Sequence, residues 1–77
     1  MGDEGDIYAE RLSQQPLQYI NITQENMTLY PHLLEALNST NQHIKTPSAE
    51  WYSLKDFFGG TATNISYQGT YYYVRLF

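Results

Sequence analysis

Residues 61–77 constrain the fold of this chain more than any other stretch. Tyr71, Tyr73, Arg75 and Phe77 fall on one side of an extended strand, and Tyr72, Val74 and Leu76 fall on the other. Upstream, Tyr67-Gln68-Gly69-Thr70 supplies a turn with Gln68-Gly69 as a two-residue loop. The register that follows sets Tyr67 opposite Thr70, Ile65 opposite Tyr72, Thr63 opposite Val74 and Thr61 opposite Leu76. These residues make one face, dominated by apolar and β-branched side chains. Ala62, Asn64 and Ser66 join Tyr71, Tyr73 and Arg75 on the other. Inward and outward sets agree on both strands, an agreement that a one-residue slip would destroy. The pattern predicts a C-terminal β-hairpin, 61–67 and 70–77, with one face in a core and an aromatic face left over.

Helical spacing governs much of what precedes it. Met27, Tyr30, Leu33, Leu34 and Leu37 form one apolar stripe, with Pro31 tolerable only in a first turn. Thr23 or Thr28 is the candidate start, and the helix proper is expected over about 29–38. Ser39 to His43 reads as a polar loop. Thr46-Pro47 then suggests a threonine cap with proline at the first helical position. Trp51, Leu54, Phe57 and Phe58 supply the stripe of a second helix over 47–58, which Gly59-Gly60 stops. Residues 17–22 read as a short strand, because Leu17 and Tyr19 share one side and Ile20 and Ile22 the other. Residues 1–15 read as an acidic, partly flexible segment. A faint helical spacing of Ile7, Tyr8, Arg11 and Leu12 within it is ended by Pro16. The expected fold over 16–77 is therefore a single small α+β domain. It has two layers: two short helices packed on a three-stranded, mainly antiparallel sheet that ends in the hairpin.

A core for 77 residues without cysteine must come from apolar and aromatic side chains alone. The chain holds eight tyrosines, whose hydroxyls favour the rim of a core or an interface. Self-association would supplement so small a core. Within residues 1–25, five acids (Asp3, Glu4, Asp6, Glu10, Glu25) against Arg11 already account for the net charge of -4. Four dispersed cationic residues make no basic patch, which argues against phosphate-driven nucleic-acid binding. The opening residues carry no basic or apolar region of the kind that directs secretion, and no run approaches the ~20 apolar residues that span a bilayer. The expected location is the cytoplasm, with no membrane attachment. Four Asn-x-Ser/Thr acceptor patterns, at Asn21, Asn26, Asn38 and Asn64, are read as compositional.

The residues carry no recognisable catalytic set. His32 and Glu35 can share a helical face, but a metal centre needs further ligands, so no metal or other cofactor is expected. No Gly-x-Ser-x-Gly segment orients a serine nucleophile, and no lysine follows Gly59-Gly60-Thr61 as a phosphate loop requires. Glu50 and Asp56 point to different helical faces. The chain reads as a non-enzyme.

One short segment resembles a known docking motif. In Trp51-Tyr52-Ser53-Leu54-Lys55-Asp56-Phe57-Phe58, the aliphatic Leu54 and the aromatic pair Phe57-Phe58 look like the core of the peptide that docks on the DNA sliding clamp. Trp51 stands where that motif usually has glutamine. The resemblance implies a clamp-binding protein acting through residues 51–58, while the same residues also make the buried stripe of a capped helix. The principal expectation is a small acidic protein-binding module that occludes a site on a larger protein as inhibitor or adaptor. Its contacts would be Tyr71, Tyr73, Arg75 and Phe77, since aromatics and arginine concentrate interface energy. The alternative is a structural homo-oligomer, such as a homodimer, that uses this strand only to bind itself.

Overall fold

The computed structural model describes residues 4–77, so the acidic start at residues 1–3 lies outside the described residues. In chain order the elements are strand β1 (Glu4–Arg11), strand β2 (Ile20–Asn21), helices α1 (Gln24–Leu29) and α2 (Pro31–Asn38), strand β3 (His43–Pro47), helix α3 (Ser48–Phe58), and strands β4 (Ala62–Tyr67) and β5 (Thr70–Leu76). The architecture is mixed α+β. One five-stranded sheet has the order β2-β4-β5-β1-β3, parallel between β2 and β4 and antiparallel elsewhere.

The terminal hairpin has the expected register. Tyr67 pairs with Thr70, Ile65 with Tyr72 and Thr63 with Val74, and Leu76 N–H donates to the Thr61 carbonyl at 2.7 Å. Gln68 and Gly69 both have positive φ, 51° and 82°, as the tight two-residue hairpin turn requires. Ile65, Val74 and Leu76 are buried on the inward face, and Tyr72 packs half-buried against them.

The sheet has five strands, not three, and the additional ones come from segments that looked helical or irregular. Residues 4–11 form a strand between β5 and β3 rather than a flexible or helical segment. Pairing on both sides overrides the weak local spacing, and the strand's period of two buries Ile7 and Ala9 completely. Gly5 lies under the indole of Trp51. A Cβ there would meet that ring and the Phe77 carbonyl oxygen, 2.9 Å away, so β1 needs glycine at this point. The polar stretch around His43 is an edge strand, with Thr46 buried and Ile44 half-buried inward while His43 and Lys45 face out. Of residues 17–22, only Ile20 and Asn21 pair, in parallel with Ile65 and Ser66. Leu17 is fully exposed.

The first predicted helix is two helices, so the described residues form three. Pro31 cannot donate to a continuing helix, and the chain breaks at Tyr30 (φ -131°, ψ 69°) before restarting with Pro31 at the first position of α2. Thr23 caps α1 reciprocally with Asn26: the Thr23 hydroxyl accepts from the Asn26 N–H at 3.0 Å, and the Asn26 side-chain oxygen accepts from the Thr23 N–H at 3.2 Å. Tyr30 offers α2 no side-chain cap. That role falls to Glu50 of α3, which accepts from the His32 N–H at 2.9 Å and from its Nδ1 at 2.7 Å. A carboxylate only accepts, so Nδ1 carries the hydrogen. The residue preceding α3 is Pro47 rather than Thr46, whose hydroxyl instead donates to the Ile44 carbonyl within β3. Gly59 ends α3 in the left-handed conformation (φ 74°), as the sequence implied.

Both α2 and α3 contact β1 and β3. Leu33, Ala36 and Leu37 of α2 and Leu54 and Phe58 of α3 join Ile7, Ala9, Ile65, Val74 and Leu76 in one core. Among the described residues no helix is long and apolar enough to cross a membrane.

Candidate protein-docking face

Because strand side chains alternate, the register dictates what lies on the sheet surface away from the core residues. Tyr8 is opposite Arg75 on β5 and His43 on β3, and Arg75 is in turn opposite Ala62 on β4. One row toward the end of β5 come Lys45, Asp6 and Phe77, with Asp6 and Phe77 exchanging backbone hydrogen bonds at 3.1 and 2.9 Å. One row the other way come Glu10, Tyr73 and Asn64. The surface therefore draws on both ends of the chain.

These side chains form a connected aromatic cluster. The His43 ring lies 5.1 Å from Tyr8 and 4.7 Å from Phe77, and Tyr8 meets Phe77 edge-on at 6.4 Å. The Arg75 guanidinium sits 4.8 Å above the Phe77 ring. Among the described residues Arg75 makes no side-chain hydrogen bond or ion pair, although Asp6 and Glu10 stand one row to either side. Asp6 instead approaches His43 Nδ1 at 3.6 Å, and Glu10 accepts from the Tyr8 hydroxyl at 3.0 Å. That hydrogen bond to a carboxylate, with partial desolvation and the charge of Glu10, raises the Tyr8 phenol above its ordinary pKa. Phe77 remains 49% exposed.

The four residues expected to form one strip are divided. Residues 12–19 leave β1 and cross the sheet to reach β2, packing beside the half-buried Tyr71. The Leu12 N–H donates to the Tyr71 carbonyl at 2.8 Å, the Asn64 amide donates to the Gln18 carbonyl at 3.3 Å, and Tyr19 packs edge-on against Tyr71 at 5.1 Å. Desolvation, followed by the neighbouring Tyr19 hydroxyl, raises the Tyr71 phenol. At the same end Ser66 is buried, and its hydroxyl donates to the Asn21 side chain at 2.8 Å. Tyr73, Arg75 and Phe77 lie on the uncovered half together with Tyr8 and His43. Sequence reasoning missed those two, and only non-local pairing places them there.

The clamp-like segment lies elsewhere. Leu54 is completely buried and Phe58 nearly so. Trp51 lies across Gly5, and Phe57 stacks on Tyr30 at 5.8 Å. Offering Leu54 and Phe58 to another protein would require α3 to leave the core.

His32 is engaged by Glu50 rather than Glu35, and among the described residues no three His, Cys, Asp or Glu side chains converge as a metal site would need. Two open grooves of about 330 and 430 Å³ flank the crossing segment, and neither is lined by a histidine, carboxylate or cationic side chain. No protein-family model, curated protein or solved structure matches this chain.

Proposed function

We propose that this chain is a non-enzymatic protein-binding module that covers a site on a larger protein, as a small inhibitor or adaptor. It docks through the uncovered half of its sheet, with Tyr73, Arg75 and Phe77 as the principal contacts and Tyr8 beside them. The observation that carries this reading is the Arg75 guanidinium, held over an exposed phenylalanine with its hydrogen-bond donors unused among the described residues. A guanidinium preorganised on an aromatic plane loses little further freedom when it meets an acceptor. Arginine and aromatic side chains are also the types that most often dominate interface energy. The reading needs a two-layer arrangement in which the helices cover one face of the sheet and leave the other for a partner.

The test is affinity capture with the wild-type chain and with a Tyr73→Ala/Phe77→Ala variant whose fold is checked by circular dichroism. The variant is expected to remain folded and lose the captured protein. Tyr71→Ala, which removes a residue packed edge-on against Tyr19, should act mainly on stability. Undiminished capture by the folded double variant would refute the assignment of the face.

A further inference from the structure

The uncovered half-face carries both signs of charge in an order that suits a copy of itself. β1 contributes Asp6 and Glu10, β5 contributes Arg75, and β3 contributes Lys45 and His43. Among the described side chains Asp6 and Glu10 balance Arg75 and Lys45, so a strongly acidic or strongly basic partner gains little steering from them. Donors and acceptors are segregated by strand: carboxylates on β1, the guanidinium and the Tyr73 hydroxyl on its neighbour β5. A surface that binds itself about a two-fold axis needs this arrangement, because each group must meet its complement in the other copy.

We infer that a second copy of this chain caps the face, with the two sheets packed face to face. This rests on the proposed function, in that the same half-face is taken as a docking surface. A two-fold axis along the boundary of β1 and β5 lays β1 of each copy over β5 of the other, within the angular range of aligned sheet packing. Arg75 then comes over Tyr8 of the second copy, with Glu10 and Asp6 of that copy one row to either side. Glu10 comes over the second copy's Tyr73. The guanidinium that lacks an acceptor among the described residues is thus supplied with one. Edge-to-edge growth of the sheet is less suited, because the outer strand β3 carries Lys45 and Pro47, residue types that blunt a sheet edge.

Three strands by about six residues give a footprint on the order of 300 Å² per copy. Stable interfaces bury about 800 Å² per partner. The dimer is therefore weak and concentration-dependent, and a heterologous protein can displace it. Self-capping keeps Phe77 covered until such a partner arrives.

Sedimentation velocity on the full chain over a wide concentration range tests this. The wild type is expected to pass from monomer to dimer as concentration rises, with the dimer weakening as salt is added. Arg75→Glu and Glu10→Arg should each weaken self-association by about tenfold or more. An equimolar mixture of the two should associate about as well as the wild type, because each changed residue then meets its opposite. Arg75→Ala, which introduces no repulsion, provides a milder check should either reversal disturb folding. A wild type that stays monomeric at the highest concentration overturns the inference, as does a mixture that fails to associate or self-association insensitive to these substitutions. If the chain is monomeric yet Tyr73→Ala/Phe77→Ala still abolishes capture of a heterologous protein, only the second copy is removed and the docking face stands. If capture also survives, both readings fail.

Discussion

Replacing Glu50 with alanine should destabilise the domain far more than loss of a solvent-side carboxylate usually does. Glu50 lies on α3 but serves α2, whose own N-cap residue, Tyr30, supplies no side-chain acceptor. Its side chain is only 10% exposed. One oxygen satisfies the His32 N–H at the start of α2, an interaction of the type worth about 0.5–2 kcal/mol at an N-cap. The other accepts from His32 Nδ1, and because His32 is 32% exposed that half is worth about 1 kcal/mol or less. Glu50→Ala should therefore cost about 1–3 kcal/mol, the larger part from an orphaned helix-terminal donor. For a domain of this size that lowers Tm by about 5–20 °C. Urea unfolding monitored by Trp51 fluorescence gives the free energy. Glu35→Ala, at an exposed position on α2, serves as the control and should stay within about 0.5 kcal/mol of the wild type. A double-mutant cycle with His32→Ala separates the two halves. A Glu50→Ala loss no larger than that of Glu35→Ala would refute the assignment of Glu50 as the cap of α2.

Other positions yield equally direct outcomes. Val74→Asp should unfold the chain at ambient temperature because it buries a carboxylate at a fully enclosed site, whereas Tyr73→Ala one residue away should change stability little; equal losses in urea titrations would contradict the face assignment. Leu54→Ala and Phe58→Ala should each cost about 2–5 kcal/mol, and the wild type should show no heat of binding when titrated with a sliding clamp; binding that these substitutions abolish without loss of fold would restore the docking-motif reading. Tyr8 and Tyr71 should ionise above the ordinary tyrosine pKa of 10.0 in ultraviolet titration, and Glu10→Gln should return Tyr8 toward it. Folding favours the neutral form of both phenols, so their stabilising contribution is fully present below pH 10 and is lost as pH rises through the elevated values.

The hairpin was legible because its information is local. Alternation in residues 70–77 and a glycine turn specify a pairing between neighbours in sequence. The stripe of α3 and its stop at Gly59 were legible for the same reason. β1 was not, since among its described side chains only Ile7 and Ala9 are fully buried and the strand is made by ladders on both sides, to β3 and β5. β3 was hidden by polar residues and a proline, which suit an edge strand and a loop equally. The break at Tyr30 is half visible in the sequence: Pro31 fits only a first turn, but a threonine cap at Thr23 suits one long helix as well as a separate short one. The candidate site divides along the same line. Tyr73, Arg75 and Phe77 follow from strand parity, whereas Tyr8, His43 and the shielding of Tyr71 by Tyr19 depend on contacts between segments far apart in the chain.

The placement of β1 beside β5 bears on how the domain is made. The first and last strands of the sequence are adjacent in the interior of the sheet, so the contacts that complete the core close nearly the whole chain into one loop. Proteins dominated by such distant pairings fold slowly, because the entropy of loop closure is lost before the contacts compensate for it. On the ribosome the helices and β3 emerge before β5, so until then β1 can pair on one side only, with β3. Premature termination after β4 would remove an interior strand rather than trim an edge, leaving the remaining strands as two separate groups.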